Sequence, residues 1–326
     1  MTGSPFGSTA LHVEQDNRAD SLLFDCGYLQ SIAERTLIRV RHLFVSHTHF
    51  DHFLDFDHLL AAWVRAGRSR EELGELMCFG PPGFNQNVRG KLMGYTWNLL
   101  NCKLRILSTE IGGDGRPSMA FDSQKKFVGE DAGEAAEPAG GVSVAWEDER
   151  LSVSFALLDH RTPSLAYAVS EKETWNIDTD ALAASGIEPG PWLSQLKTAA
   201  RNGGNADDPI ETPSGPLPLG RLKKDLLQKS PGDKITFITD TIFNKRTGPL
   251  MIELARGSGK LFIETAFLHE DLDKARANHH LTARQAGRIA REAGVRELVQ
   301  FHFSGRYLGR EEEINGEAQA EMSRGD

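Results

Sequence analysis

The run His47-Thr48-His49-Phe50-Asp51-His52 constrains this chain more than any other feature. Three imidazoles and a carboxylate fall within six residues, directly after RHLFVS at 41–46, an apolar run with the look of a strand. Neutral imidazole and carboxylate together suit Zn²⁺ and similar ions. His47 and His49, two residues apart, can point the same way, and Asp51 and His52 follow on the turn. A polar surface loop is the plainer alternative. One loop cannot close two metal sites, so further ligands are expected at other strand ends. Three candidates stand there: His160 after LSVSFALLD, Asp240 after KITFIT, and His302 in ELVQFHF. Singly, Asp240 could cap a turn and each histidine could be a satisfied core residue. Their repeated placement at strand ends favours one composite site.

The rest of the chain alternates strand and helix patterns. STALHVE and SLLFD, within 8–25, flank the polar turn QDNRAD. LDFDHLLAAWVRAG at 54–67 has helical spacing, with Phe56, Leu59, Leu60, Trp63 and Val64 on one side. LMCFGPPGF at 76–84 is a strand broken by a Pro-Pro-Gly turn. VGEDAGEAAEPAGG at 128–141 reads as a mobile surface loop. RLSVSFALLDH and LAYAVSEKE form a hairpin pattern, and KITFITD, KLFIETAF and ELVQFHF are further strands. TARQAGRIAREAG at 282–294 is a helix, with Thr282 as N-cap and Gly294 as its stop. Segment 182–231 holds seven of the fourteen prolines and six glycines, which excludes a long helix or a central strand and marks an excursion from the main domain. The acidic tail at 310–326 is expected to fray. No fixed-period repeat is present, and the alternation argues for a layered α/β fold.

Composition sets outer bounds. The 326 residues are 39% hydrophobic and 25% charged, ordinary for a globular chain, which excludes a disordered tail protein, a collagen-like chain and a disulfide scaffold. No apolar run approaches the ~20 residues of a membrane helix. The N-terminus lacks the basic start and apolar stretch of a secretory signal. Cys26, Cys78 and Cys102 are scattered, as expected of reduced thiols in the cytoplasm. Against 46 acidic residues stand 37 basic ones, and the net charge of −9 by itself argues against a nucleic-acid partner.

Several motifs together change that reading. The chain carries LFDCG at 23–27, HTHFDH at 47–52, LLDHRTPSLAYAVSEK at 157–172, SGIEPGPWLSQLK at 185–197, FITDT at 237–241, ETAFLHED at 264–271 and, at 280–307, the stretch from HLTARQ to HFSGRY. This pattern resembles the metallo-β-lactamase superfamily and, within it, the ribonuclease Z family, enzymes that trim the 3′ end of tRNA precursors. HTHFDH alone points only to the superfamily; the Gly/Pro-bearing arm, the H-x-T before a helix and the HFSGRY ending point to the family. The resemblance implies a four-layer αββα domain over 1–309, with an inserted flexible arm at 182–231 that grips tRNA. It implies two zinc ions, replaceable by manganese or magnesium: one on His47, His49 and His160, the other on Asp51, His52 and His302, with Asp240 bridging. Asp51 would also orient the attacking water, and His280 would serve the leaving 3′-oxygen, with its neighbour His279 a weaker candidate. Gly190, Pro191, Arg201, Lys223 and Lys224 would meet the tRNA precursor, with Arg221 as a further basic residue. A cytoplasmic homodimer is also implied.

The chain departs from the family pattern in places. Where the family continues Gly-Glu-Gly-Thr-Gln, this chain has Gly27-Tyr28-Leu29-Gln30. Thr48 and Phe50 replace Leu and Gly in the first motif, and Thr239 replaces the Gly before the bridging Asp. The chain starts where the family has just finished its first strand, so that strand is expected to be missing or cut off. The changed loop and Phe50 keep open a phosphodiesterase acting on small or cyclic nucleotides. An ester or lactone hydrolase would need neither arm nor His280, and a non-catalytic binding module would have little reason to keep seven ligands. Among the other histidines, His58 reads as surface or supporting, His42 as structural, and His12 and His269 as exposed. Asp25 is placed to hydrogen-bond a ligand histidine or a turn.

Overall fold

Strands with apolar faces on both sides need two layers of cover, and this chain supplies them. The computed structural model describes residues 4–16, 18–138 and 140–325. The expectation about the chain's start falls partly outside these residues. A seven-stranded sheet follows chain order: Leu11–Glu14, Ser21–Phe24, Val40–Phe44, Glu72–Gly80, Lys103–Glu110, Gly115–Asp122 and Gly129–Ala136. Its second to fifth strands run parallel and its outer pairs antiparallel. A six-stranded sheet has the order Glu297–Phe301, Lys260–Glu264, Lys234–Ile238, Pro163–Glu171, Leu151–Asp159, Val142–Glu147.

The sheets face each other through aromatic rings. Phe24 and Phe44 stack at 5.2 Å, and Tyr167 of the other sheet lies 5.8 and 5.5 Å from them. The Tyr167 hydroxyl donates to Val45 O at 2.8 Å, so this buried ring keeps a partner for its one polar group. Helices Phe56–Ala66 and Phe84–Met93 cover the outer face of the first sheet, and Thr247–Ala255 and Ala283–Ala293 that of the second. Leu59, Leu60 and Trp63 face inward as their spacing predicts, each worth roughly 1.5–3 kcal/mol of burial. Helix Ala283–Ala293 has the expected ends: Thr282 forms a capping box with Gln285, and Gly294 closes the helix at φ 66. The result is four layers, αββα.

The chain divides into two compact units, the first being 1–147, 153–169 and 234–326, the second 148–152 and 170–233. The second unit has its own core of Leu182, Trp192, Leu196, Ile210, Leu219, Leu222 and Leu226. Its elements are short, as its prolines require: helices Thr179–Ser185, Trp192–Arg201 and Leu219–Leu226, the ribbon Thr174–Ile177 with Leu227–Ser230, and the hairpin Pro209–Thr212 with Gly215–Pro218. Pro191 and Pro218 sit at helix N-terminal boundaries, where a missing N–H costs nothing.

Three expectations need correction. Residues 128–141 are not a loop: Gly129–Ala136 is the edge strand of the first sheet, paired with Gly115–Asp122. Its residues from Glu130 on are exposed, so backbone pairing holds it without the apolar pattern that marks a strand. The tail does not fray either, because Glu311–Met322 is a helix that buries Ile314 and Ala318. Three glutamates in its first turn face the positive end of the helix dipole. Finally, His12 and His269 are half-buried, with ring nitrogens 2.8 Å from Ser21 Oγ and 3.0 Å from Thr282 Oγ1.

Candidate metal centre

The expected ligands stand where strands stop. His47, His49, Asp51 and His52 follow strand Val40–Phe44, His160 follows Leu151–Asp159, Asp240 follows Lys234–Ile238, and His302 follows Glu297–Phe301. The fold brings all seven together. His47, His49 and His160 can offer atoms lying within 4.8 Å of one another, and so can Asp51, His52 and His302. Asp240 joins the two sets: its Oδ2 is 3.5 Å from both His52 Nε2 and His160 Nε2 and 3.9 Å from His47 Nε2, while Oδ1 is 3.2 Å from His302 Nδ1. His302 Nε2 lies 3.3 Å from Asp51 Oδ2.

Partners behind the cluster fix which ring nitrogen faces it. Asp25, fully buried, accepts from Ser46 N at 2.7 Å and lies 2.8 Å from His52 Nδ1. His160 Nδ1 donates to His279 O at 2.8 Å, and His47 Nδ1 is 3.1 Å from Ser46 Oγ. The opposite nitrogens are thereby turned inward. His52 Nε2 has no hydrogen-bond partner among the described residues although it is fully buried, an arrangement that costs free energy unless a further group satisfies it. An orphaned imidazole nitrogen facing carboxylates fits a cation, so the residues present suit a metal. Asp25, Arg161, His279 and His302 all adopt positive φ, 55°, 58°, 56° and 60°. That region is costly for side-chain-bearing residues and concentrates where function over-determines the backbone.

Glu264, absent from the sequence expectations, closes the constellation. It is fully buried at the end of strand Lys260–Glu264, accepts from Thr241 N at 2.8 Å and lies 2.8 Å from His280 Nδ1. Its signal is the strand-end placement it shares with Asp240, masked because the apolar run continues past it. His280 lines a cleft of about 470 Å³ together with His160, His302, Ser304 and Arg306. Burial opposes charge on His280, but Glu264 outweighs it and holds the imidazole up to about 9. For Asp51 burial works against ionisation, yet the hydrogen bond from His302 and the charge of His52 keep the carboxyl well below the usual carboxylate range. Burial, helped by the charge of His52, pushes His47 well below the usual imidazole range, which leaves its lone pair free.

Six of the remaining expected residues belong to the second unit. Gly190 and Pro191 precede helix Trp192–Arg201 in the second unit, Arg201 ends it, and Lys223 and Lys224 share helix Leu219–Leu226. Lys223 Nζ sits 4.6 Å from the Trp175 ring, and Arg221 pairs with Asp225 at 3.6 Å. His42 is buried against Trp146, their rings 4.1 Å apart, and His58 is half-buried on helix Phe56–Ala66. His279 contributes its carbonyl to His160, and its ring nitrogen lies 3.4 Å from Asp159.

Two facing sheets under helices, with histidines and aspartates gathered at strand ends, define a protein of metallo-β-lactamase fold. Comparisons sharpen this. No family model matches the chain. It is 30% identical over 315 residues to a ribonuclease Z of Deinococcus radiodurans, covering 94% of this chain and 90% of that protein. A ribonuclease Z of Brevibacillus brevis is 31% identical over 291 residues, covering 87% and 76%. The crystal structure of the short form of human tRNase Z superposes with a TM-score of 0.52 at 17% identity, covering 94% and 89%. The metallo-β-lactamase fold protein YhfI from Bacillus subtilis gives 0.52 at 14%, covering 98% and 87%. The chain belongs to the ribonuclease Z family, a family of metal-dependent endoribonucleases. Among the described residues no helix is long and apolar enough to cross a membrane.

Proposed function

We propose that this chain cleaves the 3′ trailer from tRNA precursors and leaves a 3′-hydroxyl on the tRNA body. The observation that carries the reading is the Asp240-centred cluster with His280 on its rim, held 2.8 Å from Glu264. His47, His49 and His160 would hold one zinc ion, Asp51, His52 and His302 a second, with Asp240 between them; manganese or magnesium could substitute. When bound, the ions supply Lewis acidity, countering charge on the scissile phosphodiester and acidifying the attacking water. Asp51 would orient that water by accepting a hydrogen bond from it. Glu264 accepts from Nδ1 of His280 and leaves Nε2–H for the departing 3′-oxygen, which needs a proton or an equivalent donor. Lys223, Lys224, Arg201 and the Gly190-Pro191 turn of the second unit grip the tRNA. The active species is a cytoplasmic homodimer.

The test is incubation of the purified, zinc-loaded protein with a 3′-extended tRNA precursor, with product ends mapped. Cleavage after the discriminator nucleotide is expected. Hydrolysis of bis-p-nitrophenyl phosphate with an intact precursor would sink the tRNA assignment and leave a phosphodiesterase for smaller substrates. His280→Ala should cut turnover by roughly 10²–10⁴-fold while zinc content stays near that of the parent. Equal losses of both would make His280 a ligand instead.

A further inference from the structure

Two exposed aromatic rings stand beside the metal cluster, at positions where the sequence departs from the family pattern. Phe50, between His49 and Asp51, is 72% exposed, and Tyr28 is 39% exposed. The backbone makes them neighbours. A Cβ on Gly27 would lie 1.7 Å from Asp51 O, so only a glycine lets the two segments approach this closely. Cys26 N donates to His52 O at 2.8 Å, and Cys26 O accepts from Asp55 N at 2.8 Å. The loop carrying Tyr28 is therefore stitched to the short helix carrying Phe50. Each ring stands one residue from the Gly27–Asp51 contact.

The Phe50 ring contributes little to the core, and a large ring left in water next to a metal site calls for an occupant. A phosphodiester positioned at Asp51 and His302 carries a nucleoside on either side. Unpaired nucleobases are recognised above all by stacking on aromatic side chains, which tolerates any base because each has a π-face. We propose that Phe50 and Tyr28 form a stacking platform for the nucleobase flanking the scissile phosphate. The inference rests on the RNA-cleaving reading above.

Kinetics of Phe50→Ala, Phe50→Leu, Phe50→Trp and Tyr28→Ala test it, on an ordinary precursor and on precursors abasic at the nucleotide 5′ or 3′ of the cleaved bond. Phe50→Ala and Phe50→Leu should raise KM on the ordinary precursor by about ten- to a hundredfold at unchanged zinc content, with a smaller rise for Tyr28→Ala. Phe50→Trp should match the parent. On one of the two abasic precursors the gap between parent and Phe50→Ala should close. The platform is overturned if the loss is the same on both abasic precursors, since the ring would then act through Asp51, or if Phe50→Leu performs like the parent. A change in solution mass of Phe50→Ala would assign the rings to a contact between copies and overturn it as well. If the parent cleaves no precursor at all, the RNA reading itself fails and the platform falls with it.

Discussion

Asp25 shows how much of a metal site is decided behind its ligands. Its carboxylate holds Ser46 N and His52 Nδ1, and so sets the orientation of the strand end and of one ligand ring. Asp25→Asn keeps the volume but weakens that hold, and we expect metal affinity to drop ~10–100-fold by chelator competition with the circular dichroism of the parent retained. Glu264 plays the matching part for His280. Glu264→Ala strands Thr241 N and one nitrogen of His280, a loss of about 1–3 kcal/mol in urea unfolding for the unpaired group, together with lower turnover. A variant as stable and as active as the parent would contradict this. The convergence of the seven expected positions was legible because each is a histidine or aspartate at or within a few residues of the end of an apolar strand, or on the turn that follows it. Glu264 obeys the same rule, but its glutamate sits inside the apolar run KLFIETAF and reads as part of the strand. Positive φ at Asp25, His279 and His302 falls on residue types that tolerate it better than most, too weak a signal to place it from sequence.

At the level of elements, legibility followed the end signals. Helix Ala283–Ala293 was bounded to the residue because Thr282 and Gly294 are strong caps. Removing the first, Thr282→Ala, should cost ~1 kcal/mol by loss of the cap, measured by denaturant unfolding. Strand Lys103–Glu110 escaped notice because its buried face reads Leu104, Ile106, Ser108, and the serine interrupts the apolar alternation. Helix Glu311–Met322 was hidden by its acidity, since only Ile314 and Ala318 face inward. It packs so closely that a Cβ on Gly287 would lie 2.3 Å from Ala318 O. Ile314→Ala should therefore destabilise by roughly 2–5 kcal/mol, far more than substitution of a fraying tail residue would. The excursion read at 182–231 falls within the second unit, which runs over 148–152 and 170–233. Its strand Thr174–Ile177 is recognisable only through its partner Leu227–Ser230, fifty or more residues on.

On the scale of the molecule, the net charge of −9 limits how RNA can be held. Binding has to rest on local basic groups, and counterion release then makes it steeply salt-dependent. Apparent KM for a tRNA precursor should climb sharply between about 50 and 200 mM salt, while KM for bis-p-nitrophenyl phosphate stays nearly level. Reversing Lys223 and Lys224 to glutamate should raise the former and flatten its salt slope. A slope unchanged by the reversal would move the grip elsewhere.

The place where the second unit leaves the sheet has a consequence of another kind. Strands Pro163–Glu171 and Lys234–Ile238 are adjacent in the sheet, and Glu171 N donates to Asp233 O at 2.8 Å at the neck between them. The stretch 170–233 thus departs and returns between two neighbouring strands, and residues 148–152 complete the second unit. Whatever is grafted there can lengthen, shrink or be exchanged over evolutionary time without displacing Asp240 or His160, each at the far end of its own strand. Rewriting the insert would leave the residues of the cluster on their own strands.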